Sequence, residues 1–311
     1  MATPRIVFIG TPEFAVGSLE ACLEVGEVVA VVTRPDQPRG RGHAVSPSPV
    51  KARALEKGLK VLQPEKVRGG AFAAELAALA PEVCVVTAYG KILPPDVLAV
   101  PPKGCVNVHA SLLPRFRGAA PIQWAIASGD RKTGVCLMLM DEGMDTGPVL
   151  ARAEVPIGPE TTFPVLHDAL AKLGHDLLVV ELPRYLSGEL APVAQPAEGA
   201  VPAPMIQKED GRLDFGRPAE VLERRVRAFD PWPGAFCAFA GGLLKVRGAR
   251  VGAGRGAPGT VLAADAAGLE VACGEGSLVL TMLQPEGKRA MSAREFLAGR
   301  KVAVGSRPFQ P

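Results

Sequence analysis

The chain has 311 residues, of which 48% are hydrophobic and 22% charged, and its formal net charge at pH 7 is +3. This length favours two domains over one, and the composition is that of an ordinary globular protein. No apolar stretch is long enough to span a membrane and no secretory signal pattern follows Met1, so we expect a cytoplasmic protein.

Short apolar runs alternate with helical patterns up to residue 188. Strands are predicted at 5–9, 28–33, 60–62, 83–87, 105–109 and 135–140. Helices are predicted at 13–24, 49–57, 71–79, 120–128 and 161–186. The last of these places Leu166, Leu170 and Val180 on one apolar face. Continuous apolar strands separated by helices indicate an α/β domain with a parallel sheet, which we assign to residues 1–188.

A change in composition predicts a second domain. Residues 189–206 are rich in proline among Ala, Gly and Glu, which is typical of a semi-rigid linker. Residues 207–311 then favour a small β-barrel or sandwich. Strands are predicted there at 243–247, 259–262, 269–272 and 278–282, and a helix at 292–297. This domain carries 16 basic and 11 acidic side chains, so an anionic partner such as nucleic acid is the leading candidate; an excess without function is the alternative.

The residues with the clearest chemistry lie on the strand at 105–109. Asn107 and His109 are two residues apart and therefore project from the same face. An amide N–H and an imidazole N–H aimed at one point can stabilise a tetrahedral oxyanion, as acyl transfer requires. Asp145, in a later glycine-flanked loop, can orient His109 and accept a proton from an attacking amine. A satisfied core histidine and a simple turn aspartate are the alternatives.

Two other kinds of site are disfavoured by residue spacing. Gly10 follows the first strand, but the second and third glycines of a dinucleotide fingerprint are missing, which argues against NAD or FAD. The six cysteines are widely separated, so the spacings of zinc and redox sites are absent and we predict no metal site.

Residues 34–49 form a long segment without a helix or strand pattern. Loops of this length in compact domains are usually functional or disordered. Arg34, Arg39 and Arg41 stand among Gly and Pro, a composition that suits contacts to phosphates or bases. A solvated loop without a ligand is the alternative.

Several motifs together resemble the methionyl-tRNA formyltransferases, a group of the formyltransferases that use 10-formyltetrahydrofolate. The resemblance runs nearly end to end. It rests on GTPEFA (10–15), TRPDQP (33–38), GRG (40–42), NVH (107–109), SLLPR (111–115), RGAAPI (117–122), DTG (145–147), IQKED (206–210), PWPGA (231–235) and SAREFL (292–297). The catalytic motifs are shared by many formyltetrahydrofolate enzymes, whereas the GRG loop and the C-terminal motifs narrow the resemblance to the tRNA enzymes. Asp230 departs from it, because Asn is expected before Pro-Trp-Pro-Gly.

The resemblance implies a Rossmann-like parallel-sheet formyltransferase domain followed by a small OB-like β-barrel domain. It implies 10-formyltetrahydrofolate as formyl donor, the α-amino group of methionyl initiator tRNA as acceptor, and contact with the acceptor stem. Catalysis is implied for Asn107, His109 and Asp145, without a metal. Folate contacts are implied for Ser111, Leu112, Leu113, Pro114, Tyr89, Gly90 and Asp141. Contacts to tRNA are implied for Arg34, Arg39, Arg41 and Lys208.

Two rival functions fit part of this pattern. A related formyltransferase or formyltetrahydrofolate hydrolase, acting on a small amine or on water, would share the three catalytic residues but would not need a charged loop. A non-catalytic RNA-binding module would leave those three residues unexplained. We expect a monomer.

Overall fold

The computed structural model describes residues 3–39 and 44–310, and it divides into two compact units. The first unit comprises the chain up to Pro121 together with Lys132–Pro156 and His167–Ala203. The second comprises Ile122–Arg131, Ile157–Leu166 and the chain from Pro204 onwards. Two short segments of the first 188 residues therefore cluster with the C-terminal part of the chain, and neither unit is contiguous in sequence.

The strands and helices up to residue 203 follow the apolar runs of the sequence. The strands are β1 (Arg5–Gly10), β2 (Glu27–Val32), β3 (Gln37–Arg39), β4 (Ala44–Ser46), β5 (Val61–Leu62), β6 (Val83–Thr87), β7 (Cys105–His109), β8 (Arg115–Gly118), β9 (Lys132–Leu139), β10 (Val149–Pro156) and β11 (Val201–Ala203). The helices are α1 (Val16–Val25), preceded by a 3₁₀ turn at Glu13–Ala15, α2 (Pro49–Glu56), α3 (Ala71–Ala78), α4 (Pro95–Leu98), α5 (Pro121–Ser128) and α6 (Phe163–Ser187). All six predicted strands and all five predicted helices of this region are confirmed, with ends shifted by up to three residues.

The main sheet of the first unit has the strand order β10-β9-β7-β6-β1-β2-β5. The strands from β7 to β5 run parallel, as predicted. At the other edge β9 runs antiparallel to β7 and β10 antiparallel to β9, so the sheet is dominated by parallel strands without being parallel throughout. β10 was not predicted, since its residues alternate between half-buried and exposed after Leu150 and leave no continuous apolar run.

Burial of the central strands explains their sequence. Every residue of β6 and of β7 is buried, and so is all of β1 after Arg5. Strands covered on both faces need side chains that are apolar at every position, which is why these runs are continuous rather than alternating. On α6 the buried face contains Leu166, Leu170, Leu178 and Leu182, whereas Val180 is exposed, so the predicted apolar face is correct at its start and wrong at its end.

The described residues between 189 and 203 lie against the first unit through backbone hydrogen bonds. Val193 and Val149 exchange two of them, each 2.8 Å long. β11 pairs in parallel with β8, and Ala120 N donates to Ala203 O at 3.2 Å. The segment predicted as a linker therefore contributes a strand next to the residues that follow His109.

The second unit contains an antiparallel sheet in the order β14-β15-β16-β13-β12-β18, with a short strand β17 beside β16. Its elements are α7 (Ala219–Ala228), β12 (Ala235–Phe239), β13 (Gly242–Gly252), β14 (Val261–Asp265), β15 (Gly268–Ala272), β16 (Ser277–Pro285), β17 (Met291–Ser292), α8 (Ala293–Ala298) and β18 (Phe309–Gln310). Val261 on the edge strand β14 exchanges backbone hydrogen bonds with Gly305 and Ser306, just before the opposite edge strand β18. These bonds bring the two edges together, as in a small barrel.

The predicted elements of the second unit are confirmed, whereas helix α7 and the strands β12, β17 and β18 were not predicted. The predicted strands correspond to β13–β16 and the predicted helix to α8. α7 was missed because arginine and glutamate dominate its sequence, although Leu222 and Val226 are buried. Among the described residues of the whole chain, no helix combines the length and the apolar character that crossing a membrane requires.

Candidate active site

Asn107 and His109 project from one face of β7, as their spacing predicts. β7 lies between β6 and β9, so its backbone is paired on both sides. The two side chains are 9% and 5% exposed. No described residue forms a hydrogen bond with the carboxamide of Asn107. A nearly buried amide without a protein partner is available to a ligand, because such groups are otherwise satisfied internally.

The ring of His109 is fixed by a backbone carbonyl. Nε2 lies 2.9 Å from the carbonyl oxygen of Phe116. A carbonyl oxygen can only accept, so Nε2 carries a proton and Nδ1 is the nitrogen that gains or loses one. Nδ1 lies 3.6 Å from Oδ2 of Asp145, which is longer than a hydrogen bond. His109 is therefore held at one nitrogen and uncommitted at the other.

Asp145 is held beside this ring by the segment that follows Phe116. Its Oδ2 accepts a hydrogen bond of 2.8 Å from the backbone N–H of Gly118. Gly118 has φ +124°, and a Cβ there would lie 2.6 Å from the carbonyl oxygen of Ala203, so only glycine fits. The carboxylate and the imidazole are thus both tied to the short segment 116–118.

The loop that carries Asp145 starts at the far end of β7. Because β9 is antiparallel to β7, Met140 lies beside Cys105, and its N–H donates to the Cys105 carbonyl at 2.8 Å. His109 is four residues further along β7, about 13 Å away. Oδ1 of Asp141 shapes the loop by accepting from Gly143 N at 3.0 Å and from Thr146 Oγ1 at 2.7 Å. The sequence predicted that Asp145 is near His109, but not this path.

Backbone conformations that non-glycine residues rarely adopt are concentrated near these groups. Ala88, Phe116 and Asp145 have φ values of +47°, +59° and +54°. Each such residue costs on the order of 1–3 kcal/mol and persists only where the surroundings enforce it. The strained positions therefore mark segments in which the direction of a side chain or a carbonyl matters.

Sequence reasoning missed Gln195, which lies in the predicted linker. Its Nε2 donates to the carbonyl oxygens of Asp145 and Gly147 at 2.9 and 2.8 Å. Its Oε1 accepts from Nε and Nη2 of Arg117 at 3.1 and 2.6 Å. A lone glutamine in a proline-rich stretch gives no sequence signal for such a role.

The residues 111–114, which the resemblance assigns to folate, differ in accessibility. Ser111 is fully buried, and its Oγ donates to the carbonyl of Arg115 at 2.6 Å, so its side chain shapes the turn. Leu113 is 1% exposed and packs in a small apolar cluster with Cys136, Met138 and Val149. Leu112 and Pro114 are half-buried and can offer side-chain surface. Contacts from Ser111 and Leu113 to a ligand would therefore come from their backbone.

Tyr89 and Gly90 follow β6 at the carboxyl edge of the parallel strands. Tyr89 is 2% exposed, and its hydroxyl has no hydrogen-bond partner among the described residues. Burial raises the pKa of Tyr89 to about 12, against the opposing effect of the nearby Arg34 guanidinium. Gly90 is exposed with φ +78°. Arg34, assigned to tRNA from the sequence, therefore lies beside residues assigned to folate.

The remaining residues assigned to tRNA are distributed along the chain. Arg39 ends β3, which pairs with β4 as an antiparallel hairpin, so the segment 34–49 is not without regular structure as expected. The two arms are only three residues long, too short to leave a pattern in the sequence. Arg41 lies outside the described residues. Lys208 is exposed in a 3₁₀ turn of the second unit.

A polar network fixes the beginning of this segment to the sheet. Lys51 Nζ donates to Asp36 Oδ2 at 2.5 Å and to Gln63 Oε1 at 2.7 Å. Gln63 Nε2 donates to the Arg34 carbonyl and to Asp36 Oδ1, each at 2.9 Å. Asp36 and Lys51 are about one-fifth exposed. We refer to Asp36, Lys51 and Gln63 as the loop-base network.

Asp230, the departure from the family motif, has a direct partner in the second unit. Its Oδ1 accepts from Nη1 of Arg247 at 2.6 Å, and Arg247 also donates to Gln284 Oε1. A carboxylate at this position thus forms an ion pair that an asparagine could not. Among the residues that the structure describes, no group of three His, Cys, Asp or Glu side chains has the geometry of a metal site.

Fold and site together define a class of enzyme. Asn107, whose amide has no partner in the described part of the chain, and His109, whose ring is held at one nitrogen, lie on the same strand of an α/β sheet, with a carboxylate beside them. Acyl-group transfer needs hydrogen-bond donors that stabilise an oxyanion and a nearby group that accepts a proton, and this arrangement provides both.

The comparisons with known proteins identify the family. Residues 4–182 match the family Formyl transferase, and residues 205–301 match Formyl transferase, C-terminal domain. The chain is 64% identical over 309 residues to the methionyl-tRNA formyltransferase of Myxococcus xanthus (strain DK1622), covering 99% of each. It is 48% identical over 306 residues to that of Citrifermentans bemidjiense, covering 98% of this chain and 96% of the relative. The chain belongs to the formyl transferase family, in the group of the methionyl-tRNA formyltransferases.

Solved structures agree on the fold. An N-formyltransferase from Helicobacter canadensis, in complex with folinic acid and dTDP-3-aminofucose, matches with a TM-score of 0.68 at 17% identity, over 92% of this chain and 100% of that one. HypX from Aquifex aeolicus, in complex with tetrahydrofolic acid, matches with a TM-score of 0.62 at 18% identity, over 98% of this chain and 51% of that one.

Proposed function

We propose that this protein transfers the formyl group of 10-formyltetrahydrofolate to the α-amino group of methionyl initiator tRNA. Full-length similarity to methionyl-tRNA formyltransferases supports the substrates. The observation that carries the chemistry is the pair of Asn107 and His109 on one strand face, where the carboxamide and ring Nδ1 have no hydrogen-bond partner among residues 3–39 and 44–310.

The oxyanion of the reaction would be stabilised by these two residues. The Asn107 carboxamide can donate from Nδ2, and His109 can donate from Nδ1 when that nitrogen is protonated. Nε2 is not available, because its proton is directed at the Phe116 carbonyl. Oδ2 of Asp145 is 3.6 Å away and does not hold Nδ1 in a hydrogen bond, so this nitrogen can be directed at the formyl oxygen. Losing one oxyanion donor typically lowers the rate about 10²–10³-fold.

Asp145 would serve as the proton acceptor. Its Oδ2 is occupied by the Gly118 N–H, whereas no described residue donates to Oδ1. The methionyl amine attacks the formyl carbon, and a new N–C bond forms as negative charge develops on the formyl oxygen. Asp145 accepts the proton that the amine loses. The bond between the formyl carbon and N10 then breaks, and N10 takes up the proton that Asp145 accepted as tetrahydrofolate leaves, so that Asp145 returns to its carboxylate form and protons and charge balance.

The donor would bind at the carboxyl edge of β6 and β7. Half-buried Leu112 and Pro114 can provide apolar surface, and the exposed backbone of Gly90 can provide hydrogen bonds. Ser111, Leu113 and Tyr89 would act through their backbone or through packing, since their side chains are buried. Asp141 would act mainly on the shape of the loop before Asp145.

The acceptor stem of the tRNA would contact basic residues in both parts of the chain. Arg34, Arg39 and Arg41 belong to the segment 34–49, and Lys208 is exposed in the second unit. The C-terminal excess of positive charge supports a phosphate-rich partner whose affinity falls with salt. We further propose that the protein is monomeric and acts in the cytoplasm, where initiator tRNA is charged and used.

Transfer of radiolabelled formyl tests this function. The donor is 10-formyltetrahydrofolate, offered with initiator Met-tRNA, with elongator Met-tRNA, or without tRNA. Label on the initiator tRNA alone is the expected result. Equal consumption of the donor without tRNA would instead indicate a hydrolase or a small-amine formyltransferase. Absence of folate binding in a titration would indicate a non-catalytic RNA-binding protein.

A further inference from the structure

The carboxamide of Gln195 makes four hydrogen bonds inside the first unit. Two N–H groups of Arg117 point at its oxygen, and its nitrogen points at the carbonyls of Asp145 and Gly147. Neither side can be exchanged, because guanidinium groups only donate and carbonyls only accept. The orientation of the amide is therefore fixed by its surroundings, and all four hydrogen bonds go to two short segments of the chain.

Those two segments are the ones that hold the catalytic groups. The segment 116–118 supplies the carbonyl that fixes His109 and the N–H that binds the Asp145 carboxylate. The segment 145–147 carries Asp145 itself, with φ +54° at that residue. Gln195 lies 50 residues from Asp145 and 78 from Arg117 in sequence, and it joins both segments through one side chain.

We propose that Gln195 is a positioning residue for formyl transfer. It keeps the Asp145 loop in place against the segment 116–118, so that the carboxylate stays beside His109 and next to the attacking amine. This inference rests on the proposed catalytic roles of His109 and Asp145. A displacement of about 1 Å in such a site can lower the rate about 10²-fold without a change in binding.

The rest of the linker supports a local role for this side chain. Val193, two residues earlier, is 62% exposed and joins Val149 through backbone bonds that any side chain would permit. Attachment of the linker to the first unit therefore has a backbone component at Val193 and a side-chain component at Gln195. A substitution of the exposed Val193 side chain leaves these backbone bonds intact, so V193A is the matched control for a side-chain change within the same segment.

The test compares Q195E, Q195M and V193A as full-length proteins in steady-state formylation of initiator Met-tRNA. Glutamate keeps the size and the contact with Arg117, but it places a carboxylate oxygen against the carbonyls of Asp145 and Gly147. Methionine keeps the length and removes all four hydrogen bonds. We expect kcat to fall about 10- to 100-fold in Q195E and about 10-fold in Q195M. The KM values for 10-formyltetrahydrofolate and for tRNA should stay within about twofold of those of the wild type. V193A keeps the wild-type kcat.

The double variant D145N/Q195E separates positioning from general damage. If Gln195 acts through Asp145, adding Q195E to D145N lowers kcat no further, because residues that act as a unit are not additive. Wild-type kcat in Q195E, a rise in KM alone, or additive losses in the double variant would overturn the inference. Full activity of D145N would instead refute the proposed catalytic role of Asp145, so the two failures are distinguishable.

Discussion

The proposed catalytic residues and the loop-base network are two polar clusters of the first unit, and they are held in different ways. Asn107, His109 and Asp145 are positioned by strand pairing and by backbone partners on other segments. The loop-base network consists of side chains that bind one another and one carbonyl. Backbone partners fix a group to a fraction of an ångström, whereas long side chains tolerate adjustment. The difference is the one expected if the first cluster performs the proposed chemistry and the second supports a segment that contacts tRNA.

The strongest challenge to this comparison is a substitution at His109. We expect H109N to lower kcat about 10³-fold, because it removes both the oxyanion donor and the ring held by Phe116, while folate binding stays within about twofold. Single-turnover formylation at saturating substrates measures the loss. H175N is the matched control, since His175 pairs with Glu24 and Asp176 in part-exposed positions. Near-normal activity of H109N would refute the catalytic assignment.

A substitution of Asn107, on the same strand, should lower kcat less than the His109 substitution does. We expect N107A to lower kcat about 10²-fold, the typical cost of one oxyanion donor. Because no described residue bonds the carboxamide, folding should be little affected, and circular dichroism with thermal melting checks this. N107D, which replaces the donor by a negative charge, should lose more activity than N107A. Equal kcat in N107A and the wild type would mean that the amide does not contact the oxyanion.

A substitution of Arg41 tests tRNA recognition rather than the chemical step. We expect R41A to raise KM for tRNA about 10-fold and to reduce the salt dependence of that KM by about one phosphate contact, with folate binding unchanged. Titration of KM against salt measures both. R68A is the control, because Arg68 is an exposed arginine of the same unit. Equal losses in tRNA and folate affinity would contradict the separation of the two regions.

The loop-base network should show the smallest effect. We expect K51M to raise KM for tRNA about threefold with kcat unchanged, because Asp36 and Gln63 keep part of their bonds and partly exposed ion pairs contribute little, about 0–1 kcal/mol. Steady-state kinetics compares it with K60M, a substitution of an exposed lysine. A fall in kcat comparable to that of N107A would show that this network also positions the chemistry.

The sequence predicted most of the fold because most helices and strands have a recognisable hydrophobic pattern in their own residues. Buried parallel strands such as β6 and β7 are continuous apolar runs, and their predicted bounds are the observed ones. β8, β11 and the hairpin of β3 and β4 are three or four residues long and were missed. The antiparallel edge was missed as well, since a strand's direction depends on how its connection is routed.

For the candidate site, too, the local features could be predicted from the sequence and the long-range contacts could not. By itself the sequence determined that Asn107 and His109 share a strand face, because side chains alternate with a period of two. Only the tertiary structure decided which nitrogen of His109 is free, how the loop after antiparallel β9 brings Asp145 to it, and that Gln195 joins the two segments. Those contacts connect residues far apart in the chain, and hydrogen-bond partners at such separations are chosen by packing, which leaves no periodic mark in the sequence.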